Sequence, residues 1–202
     1  MILALRTDLT HKAMLEAVRT FKARLSGGAE AVFFFAGHGV QLGAANYLLP
    51  VDINASNEEQ VRDDALALQR ILDDMTEQKA RFSLAIIDAC RNNPFPRKGG
   101  RSIGGTRGLA PTSAADGQMV IYSAGAGQEA LDKLNPNDRN PNGLFTRIFL
   151  QEMQKPGVEV GQMLRNVRNQ VVAMAKLVGH TQVPALYDQA VGDFMFRPGS
   201  GA

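Results

Sequence analysis

The sequence predicts an α/β fold, with a mostly parallel sheet flanked by helices in three α/β/α layers. Two observations predict it. Short apolar runs that suit strands alternate along the chain with longer segments whose apolar residues recur at helical spacing. One run, residues 31–36 (AVFFFA), has no polar member, which is typical of a strand buried on both faces of a parallel sheet. The 202 residues suffice for one such domain, so we expect residues 1–202 to form a single domain.

Apolar runs of strand length recur from the start of the chain to its end. Each is short and most are bounded by glycine, proline or polar residues that favour turns. The predicted strands are residues 2–6 (ILALR), 31–36 (AVFFFA), 83–89 (SLAIIDA), 119–124 (MVIYSA) and 193–196 (DFMF).

Segments with apolar residues three or four positions apart are predicted as helices. The first begins after Thr10, a suitable N-cap, and ends at Gly27-Gly28. The second is capped near Asp63 or Asp64 and carries its apolar side as far as Met75. Two more helices are predicted over residues 144–154 and 160–176.

The segment of residues 91–117 is rich in Gly, Pro, Arg and Ser and lacks hydrophobic periodicity, which predicts a long flexible loop. Its basic residues precede the first acid, Asp116. An enzyme that cleaves after Arg or Lys could process itself in such a loop, since exposed loops are preferred sites of nicking. The alternative is a solvated linker with ordinary surface charges.

The composition excludes several classes of function. A net charge of +2 without interleaved aromatic and basic residues argues against a nucleic-acid partner. No apolar run approaches the length of a membrane span, and the first residues lack the cleavage site of a signal peptide. The localisation can therefore be cytoplasmic or periplasmic. One cysteine and three histidines form no zinc pattern, so no metal site is predicted, and nothing sets the oligomeric state.

A histidine and the single cysteine follow two of the predicted strands. His38 comes after the 31–36 strand and Cys90 after the 83–89 strand. Parallel neighbouring strands deliver their loops to one sheet edge, so both residues are expected there. An imidazole next to a thiol favours the thiolate and can later protonate a leaving amine. The pattern predicts a nucleophile and its base, with the amides of Gly39 and Cys90 holding the oxyanion and Asp88 facing the same crevice.

Longer motifs around these residues carry a family resemblance. They are FFFAGHGVQ (33–41), NYLLPVD (46–52), LAIIDACRNNPF (84–95), RGLAP (107–111) and VPALYDQAVGDFMF (183–196). On these motifs the chain resembles the caspase-like cysteine peptidases of the C14 type, most closely the bacterial metacaspases or orthocaspases and the paracaspases. The resemblance covers nearly the whole sequence. The separation of about 50 residues between the histidine and the cysteine fits the caspase pattern.

The resemblance implies a caspase-like (caspase-hemoglobinase) fold and a catalytic dyad of His38 and Cys90. Caspases proper carry Gln-Ala-Cys and cleave after aspartate. The block Asp88-Ala89-Cys90 is similar to the metacaspase and paracaspase pattern and implies cleavage of protein or peptide substrates after Arg or Lys. An acid can pair with such a side chain, and Arg can be held bidentately. The resemblance places a further acid of the same pocket at Glu129 or Asp132.

The chain departs from the family at its start. The resemblance implies a further strand and helix, including an ALVIGN-like strand inside the sheet, which the sequence before ILALRTDLT does not supply. ILALRTDLT would then match the second strand of the family. No cofactor is expected to be required. Calcium activates parts of the family, but no EF-hand spacing is present in this sequence.

Two functions of different classes are consistent with these residues. The first is a cysteine endopeptidase specific for Arg or Lys. The second is a catalytically inactive caspase-like module that binds proteins or peptides. A metal-dependent hydrolase using His38, Asp88 and Cys90 has less support, because three such ligands lack a fourth.

Overall fold

The computed structural model describes residues 2–90 and 115–199. The helices are α1 (His11–Arg24), α2 (Glu58–Asp64), α3 (Leu68–Glu77), α4 (Leu144–Glu152) and α5 (Val160–Leu177). The strands are β1 (Glu30–Leu42), β2 (Ala45–Leu48), β3 (Leu66–Ala67), β4 (Phe82–Cys90), β5 (Gln118–Tyr122) and β6 (Ala185–Asp188).

The six strands form one mixed sheet in the order β3-β2-β1-β4-β5-β6. Its centre is parallel: β1 pairs with β4, and β4 pairs with β5. The pairs at both ends are antiparallel: β1 with β2, β2 with β3, and β5 with β6. The predicted α/β class is confirmed, with parallel pairing confined to the central three strands.

Helices cover both faces of the sheet, which gives the predicted three layers. On one face, α1 and α3 pack against the alternate residues Ala85, Ile87 and Ala89 of β4. On the other face, α4 and α5 pack against Leu84 and Ile86. This alternation follows from the period of two in a strand, and it buries both faces of β4 over residues 82–87.

The first helix forms as its sequence predicts. The Thr10 hydroxyl oxygen accepts a hydrogen bond from the Ala13 amide at 3.3 Å, and a carboxylate oxygen of Asp52 accepts one from the His11 amide at 2.8 Å. Both satisfy amides that have no partner within the helix. At the other end, Lys22 pairs with Asp74 of α3, which ties the two helices of this face together.

Two predicted strands are wrong. Residues 2–6 are not a strand: no described strand pairs with them, and the side chains of Ile2, Leu3 and Leu5 are more than 70% exposed. Residues 193–196 are not a strand either. Phe194 and Phe196 pack on the core of the α4/α5 face instead, and Phe194 stacks on Phe82 with ring centroids 4.5 Å apart.

The predicted second helix is α3, which begins later than predicted, and a further helix, α2, precedes it. β3 lies between the two helices, and α3 begins after Ala67 without a side-chain cap, so Asp63 and Asp64, the last residues of α2, are not its cap. Asn57 caps α2, accepting a hydrogen bond from the Gln60 amide at 2.9 Å. Ala65 lies at helical spacing from Leu68 and Leu72, which is why the pattern alone places the start of the helix too early.

β1 is less buried than its apolar sequence predicts. Residues 30–38 pair with β4 along one edge, whereas only residues 39–42 pair with β2 along the other. Within the described ranges, the second edge of residues 30–38 has no strand partner. Phe34 is accordingly 43% exposed and Ala36 is exposed, so burial on both faces is wrong for this strand.

The predicted loop of residues 91–117 lies largely outside the described residues. Only residues 115–117 belong to the described part, and they form a turn that leads into β5. The prediction of a flexible, self-processed loop therefore stays a prediction.

Candidate active site

His38 and Cys90 are register partners on adjacent parallel strands. Nine consecutive residues of β1 pair with nine of β4, from Glu30 opposite Phe82 to His38 opposite Cys90. The register is fixed at the strand starts, where the Arg81 amide donates to the Ala29 carbonyl at 2.9 Å and the Arg81 side chain pairs with Glu30. Adjacent strands lie about 4.8 Å apart. The backbone thus brings the two predicted dyad residues together at the carboxyl end of β4.

His38 stands where β1 changes its partner. It is the last residue paired with β4, and the next residue, Gly39, pairs with Leu48 of β2. The His38 carbonyl accepts a hydrogen bond from the Leu49 amide at 2.9 Å, while its side chain is exposed. The strand therefore continues past the histidine, and the residue that follows β2 holds the histidine's backbone while the imidazole faces solvent. Gly39 itself is buried.

Gly37, before the histidine, lies under an aromatic ring. A Cβ atom at this position would come within 3.0 Å of the Phe35 ring. Such a contact is tighter than side chains normally adopt, so a residue larger than glycine would displace Phe35. Packing against Phe35 therefore favours glycine at position 37 of the Gly-His-Gly motif, independently of any substrate.

Asp88 lies two residues before Cys90 and is mostly withdrawn from solvent. Its carboxylate accepts a hydrogen bond from the Thr146 hydroxyl of α4 at 2.5 Å. Burial raises the pKa of Asp88 above its ordinary value, and the charge of Asp132 acts in the same direction, whereas the Thr146 hydroxyl opposes them. A cation placed beside this carboxyl would favour its charged form.

The two alternatives for the second pocket acid, Asp132 and Glu129, lie in different surroundings. Asp132 is exposed, and its negative charge acts on the Asp88 carboxyl. Glu129 lies three residues earlier, and its backbone carbonyl oxygen is 2.8 Å from Nε2 of His180. Glu129 and His180 line an open groove of about 470 Å³ together with Gly127, Gln128 and Thr181. Of the two alternatives for the second pocket acid, Asp132 is the one whose charge acts on the Asp88 carboxyl.

The sequence reasoning missed several residues that support this edge. Thr146 occupies the first turn of α4 on its buried side. A polar residue on an otherwise apolar helix face is the signal that could have found it. Asn46 of β2 donates to the Tyr122 hydroxyl of β5 at 3.1 Å, so a buried hydrogen bond ties the hairpin of β1 and β2 to the far side of β4.

Over residues 2–90 and 115–199, no group of three or more His, Cys, Asp or Glu side chains is arranged to hold a metal ion. No helix of the described part combines the length and apolar character that crossing a membrane requires.

An α/β sheet that brings a histidine and a cysteine into register on adjacent parallel strands has the framework of a caspase-type cysteine peptidase. The chain belongs to the caspase-domain family, peptidase C14, whose sequence profile matches residues 3–195. The predicted family and fold are therefore confirmed. Membership makes this chain a caspase-like module of the peptidase type.

Two curated relatives match part of the chain. They are the mucosa-associated lymphoid tissue lymphoma translocation protein 1 of Homo sapiens and its homolog of Mus musculus, each 32% identical over 84 residues. The matched stretch covers 42% of this chain and 10% of each relative. The chain is thus similar to one short part of much longer proteins.

Proposed function

We propose that this protein is a cysteine endopeptidase that cleaves peptide bonds after Arg or Lys. The observation that carries the proposal is the register pairing of His38 with Cys90, two residues beyond a largely buried Asp88. This pairing supplies a base and a nucleophile on one sheet edge, and the carboxyl beside them suits a cationic substrate side chain.

In the proposed first step, His38 accepts the proton of the Cys90 thiol and the thiolate attacks the scissile carbonyl carbon. The resulting oxyanion is held by the amides of Gly39 and Cys90. The tetrahedral intermediate collapses, the carbon–nitrogen bond breaks, and His38 gives its proton to the leaving amine. The acyl part of the substrate stays on Cys90 as a thioester.

In the second step, water replaces the amine. His38 accepts a proton from the water, whose oxygen attacks the thioester carbonyl, and the carbon–sulfur bond breaks. The proton then returns through His38 to the Cys90 sulfur, which restores the enzyme. The exposed position of the imidazole leaves it accessible to both substrate and water.

The proposed specificity depends on Asp88 and Asp132. The two acids interact electrostatically, and this interaction is unfavourable in the absence of a cation. A guanidinium or ammonium group between them would relieve that repulsion, whereas an acidic substrate side chain would add to it. The order Asp88-Ala89-Cys90 supports the same preference, because the chain resembles metacaspases and paracaspases in this block.

The test measures hydrolysis of fluorogenic peptides that end in Arg, Lys or Asp, with added calcium and with a chelator. We expect turnover of the first two peptides under both conditions. Cys90→Ala and His38→Ala should each abolish it, and Asp88→Asn should raise KM for the basic peptides. His11→Ala, a histidine in the first turn of α1, is the matched control and should behave as wild type. Equal turnover by Cys90→Ala and wild type would contradict the proposal.

The second candidate is an inactive caspase-like module that binds proteins or peptides. Along residues 30–38, one edge of β1 has no partner among the described strands, which favours this candidate, because an unpaired strand edge can receive an extended peptide by main-chain hydrogen bonding. This candidate is preferred if the folded wild-type protein hydrolyses none of the three peptides and Cys90→Ala leaves peptide binding unchanged.

A further inference from the structure

Arg147 holds the segment that carries Asp132. Its guanidinium donates to the carbonyls of Asn142 at 2.8 Å and Asp132 at 3.4 Å, and it forms an ion pair with Asp138 at 2.9 Å. The Arg147 and Asp138 side chains are only 11% and 9% exposed. A planar guanidinium can satisfy several acceptors at once, which a lysine ammonium cannot do in the same geometry. One arginine side chain therefore contacts both ends of the loop of residues 132–142.

Asp138 organises the interior of the same loop. One carboxylate oxygen accepts from the Leu134 amide at 2.9 Å and the other from the Asn140 amide at 3.0 Å. These amides, together with Arg147, lower the pKa of Asp138 to about 2. The loop is polar and dense in Asn and Pro, so these side-chain contacts stabilise its backbone conformation.

The residue before Asp132 is fixed from two other directions. The Leu131 amide donates to the Gln182 side chain at 3.0 Å, and the Leu131 carbonyl accepts from the Leu144 amide at 2.8 Å. Asp132 therefore follows an anchored residue, and its own carbonyl is bonded to Arg147. The exposed Asp132 side chain stands on a restrained backbone.

Consecutive residues of α4 hold the two acids. Thr146 donates to the Asp88 carboxylate, and Arg147 bonds the Asp132 carbonyl. The first turn of one helix thus contacts both the Asp88 carboxylate and the backbone of Asp132. We propose that Arg147, assisted by Asp138, is a positioning residue that keeps Asp132 beside Asp88 and thereby sets the preference for a cationic substrate side chain. This inference rests on the proposed function.

The kinetic test compares Arg147→Met with wild type on a peptide ending in Arg and on the same peptide ending in uncharged citrulline. We expect KM for the Arg peptide to rise about tenfold, the size of one lost contact to a charged group, with kcat changed far less. KM for the citrulline peptide should not change. Arg165→Met, an exposed arginine of α5, is the matched control and should leave both values unchanged.

A double-mutant cycle tests whether Arg147 acts through Asp132. Asp132→Asn alone should raise KM for the Arg peptide, and adding Arg147→Met should raise it little further. Full additivity of the two effects on KM would overturn the proposal. Equal losses on the Arg and citrulline peptides would also overturn it, because they would indicate general damage to the fold.

A measurement that needs no activity separates this proposal from the proposed function. The pKa of the Asp88 carboxyl can be followed by carbon NMR in wild type, Asp132→Asn and Arg147→Met. Both variants should lower that pKa, since both weaken the repulsion by Asp132. If no peptide is cleaved but this shift occurs, the proposed function fails and the positioning role stands. If Asp132→Asn shifts the pKa and Arg147→Met does not, the positioning role is refuted.

Discussion

Replacing Thr146 with valine removes the hydroxyl that donates to Asp88 while nearly preserving the side-chain volume. Thr146 is 8% exposed and its hydroxyl lies 2.5 Å from the Asp88 carboxylate, so water will not readily replace it. The hydroxyl lowers the pKa of Asp88 against the effect of burial. The valine variant should therefore raise that pKa further and leave more of Asp88 protonated in the range where the ionised form is needed.

The expected size follows from the contact that is lost. A hydrogen bond to a charged group contributes about 1.5–3 kcal/mol, and we take the lower end because Asp88 keeps some contact with solvent. About 1.5 kcal/mol corresponds to roughly a tenfold change in an equilibrium constant. KM for a peptide ending in Arg should then rise about tenfold below the pKa of Asp88. The difference should shrink at alkaline pH, where both proteins carry the ionised carboxylate.

The assay is the pH dependence of KM for the Arg peptide in Thr146→Val, with Thr146→Ser as the control that keeps the hydroxyl. Serine should follow the wild-type profile, whereas valine should displace it to higher pH. A valine profile that superimposes on the serine profile would refute the reasoning, because the two variants differ chiefly in the hydrogen bond to Asp88.

Two further predictions concern stability. Because the pKa of Asp88 is raised in the folded state, ionising it destabilises that state as pH rises above the ordinary aspartate range, and the penalty is complete above the folded pKa. Urea unfolding at acidic and neutral pH should show Asp88→Asn gaining stability over wild type as pH rises, and a constant difference would contradict this. Tyr122→Phe removes the buried acceptor of Asn46, so it should lower the free energy of unfolding by about 1–2 kcal/mol. An unchanged urea midpoint would show that this hydrogen bond does not stabilise the β1–β2 hairpin.

The sequence predicts correctly those strands and helices whose apolar pattern matches their burial in the folded protein. The 83–89 run is apolar on both faces and lies in the middle of the sheet, so its prediction as a strand is confirmed. The α5 helix was predicted within one residue of its end, because its apolar stripe meets the α4/α5 face of the sheet along its whole length.

For other segments, apolar composition does not reveal whether a neighbouring strand is present to pair with them. Residues 2–6 and 193–196 have strand-like composition, yet a strand also needs backbone partners, and these segments are paired with no described strand. Residues 185–188 do pair with β5, although only two of their four side chains are apolar aliphatic. Pairing is a property of the assembled sheet, so a local pattern does not determine it.

Some residues of the candidate site could likewise be predicted from the sequence, and others could not. His38, Cys90 and Asp88 could be proposed because each occupies a definite position relative to a strand end. Thr146 and Arg147 could not, since Thr146 contacts Asp88 across 58 positions of sequence and the Arg147 contacts depend on how the polar 132–142 loop folds. Burial of Asp88 sets the direction of its pKa shift, and burial is likewise a tertiary property.

The nine-residue pairing of β1 with β4 makes folding accuracy a requirement of the proposed chemistry. A slip of one residue would place His38 opposite Ala89 and send paired side chains to opposite faces of the sheet. A slip of two would preserve the faces but separate the dyad by about 6.6 Å along the strands. Such misregistered molecules would contain nearly the same helices and strands and yet be inert. For this protein, the fraction of molecules that are folded and the fraction that are active are therefore separate quantities, and active-site titration is the measurement that distinguishes them.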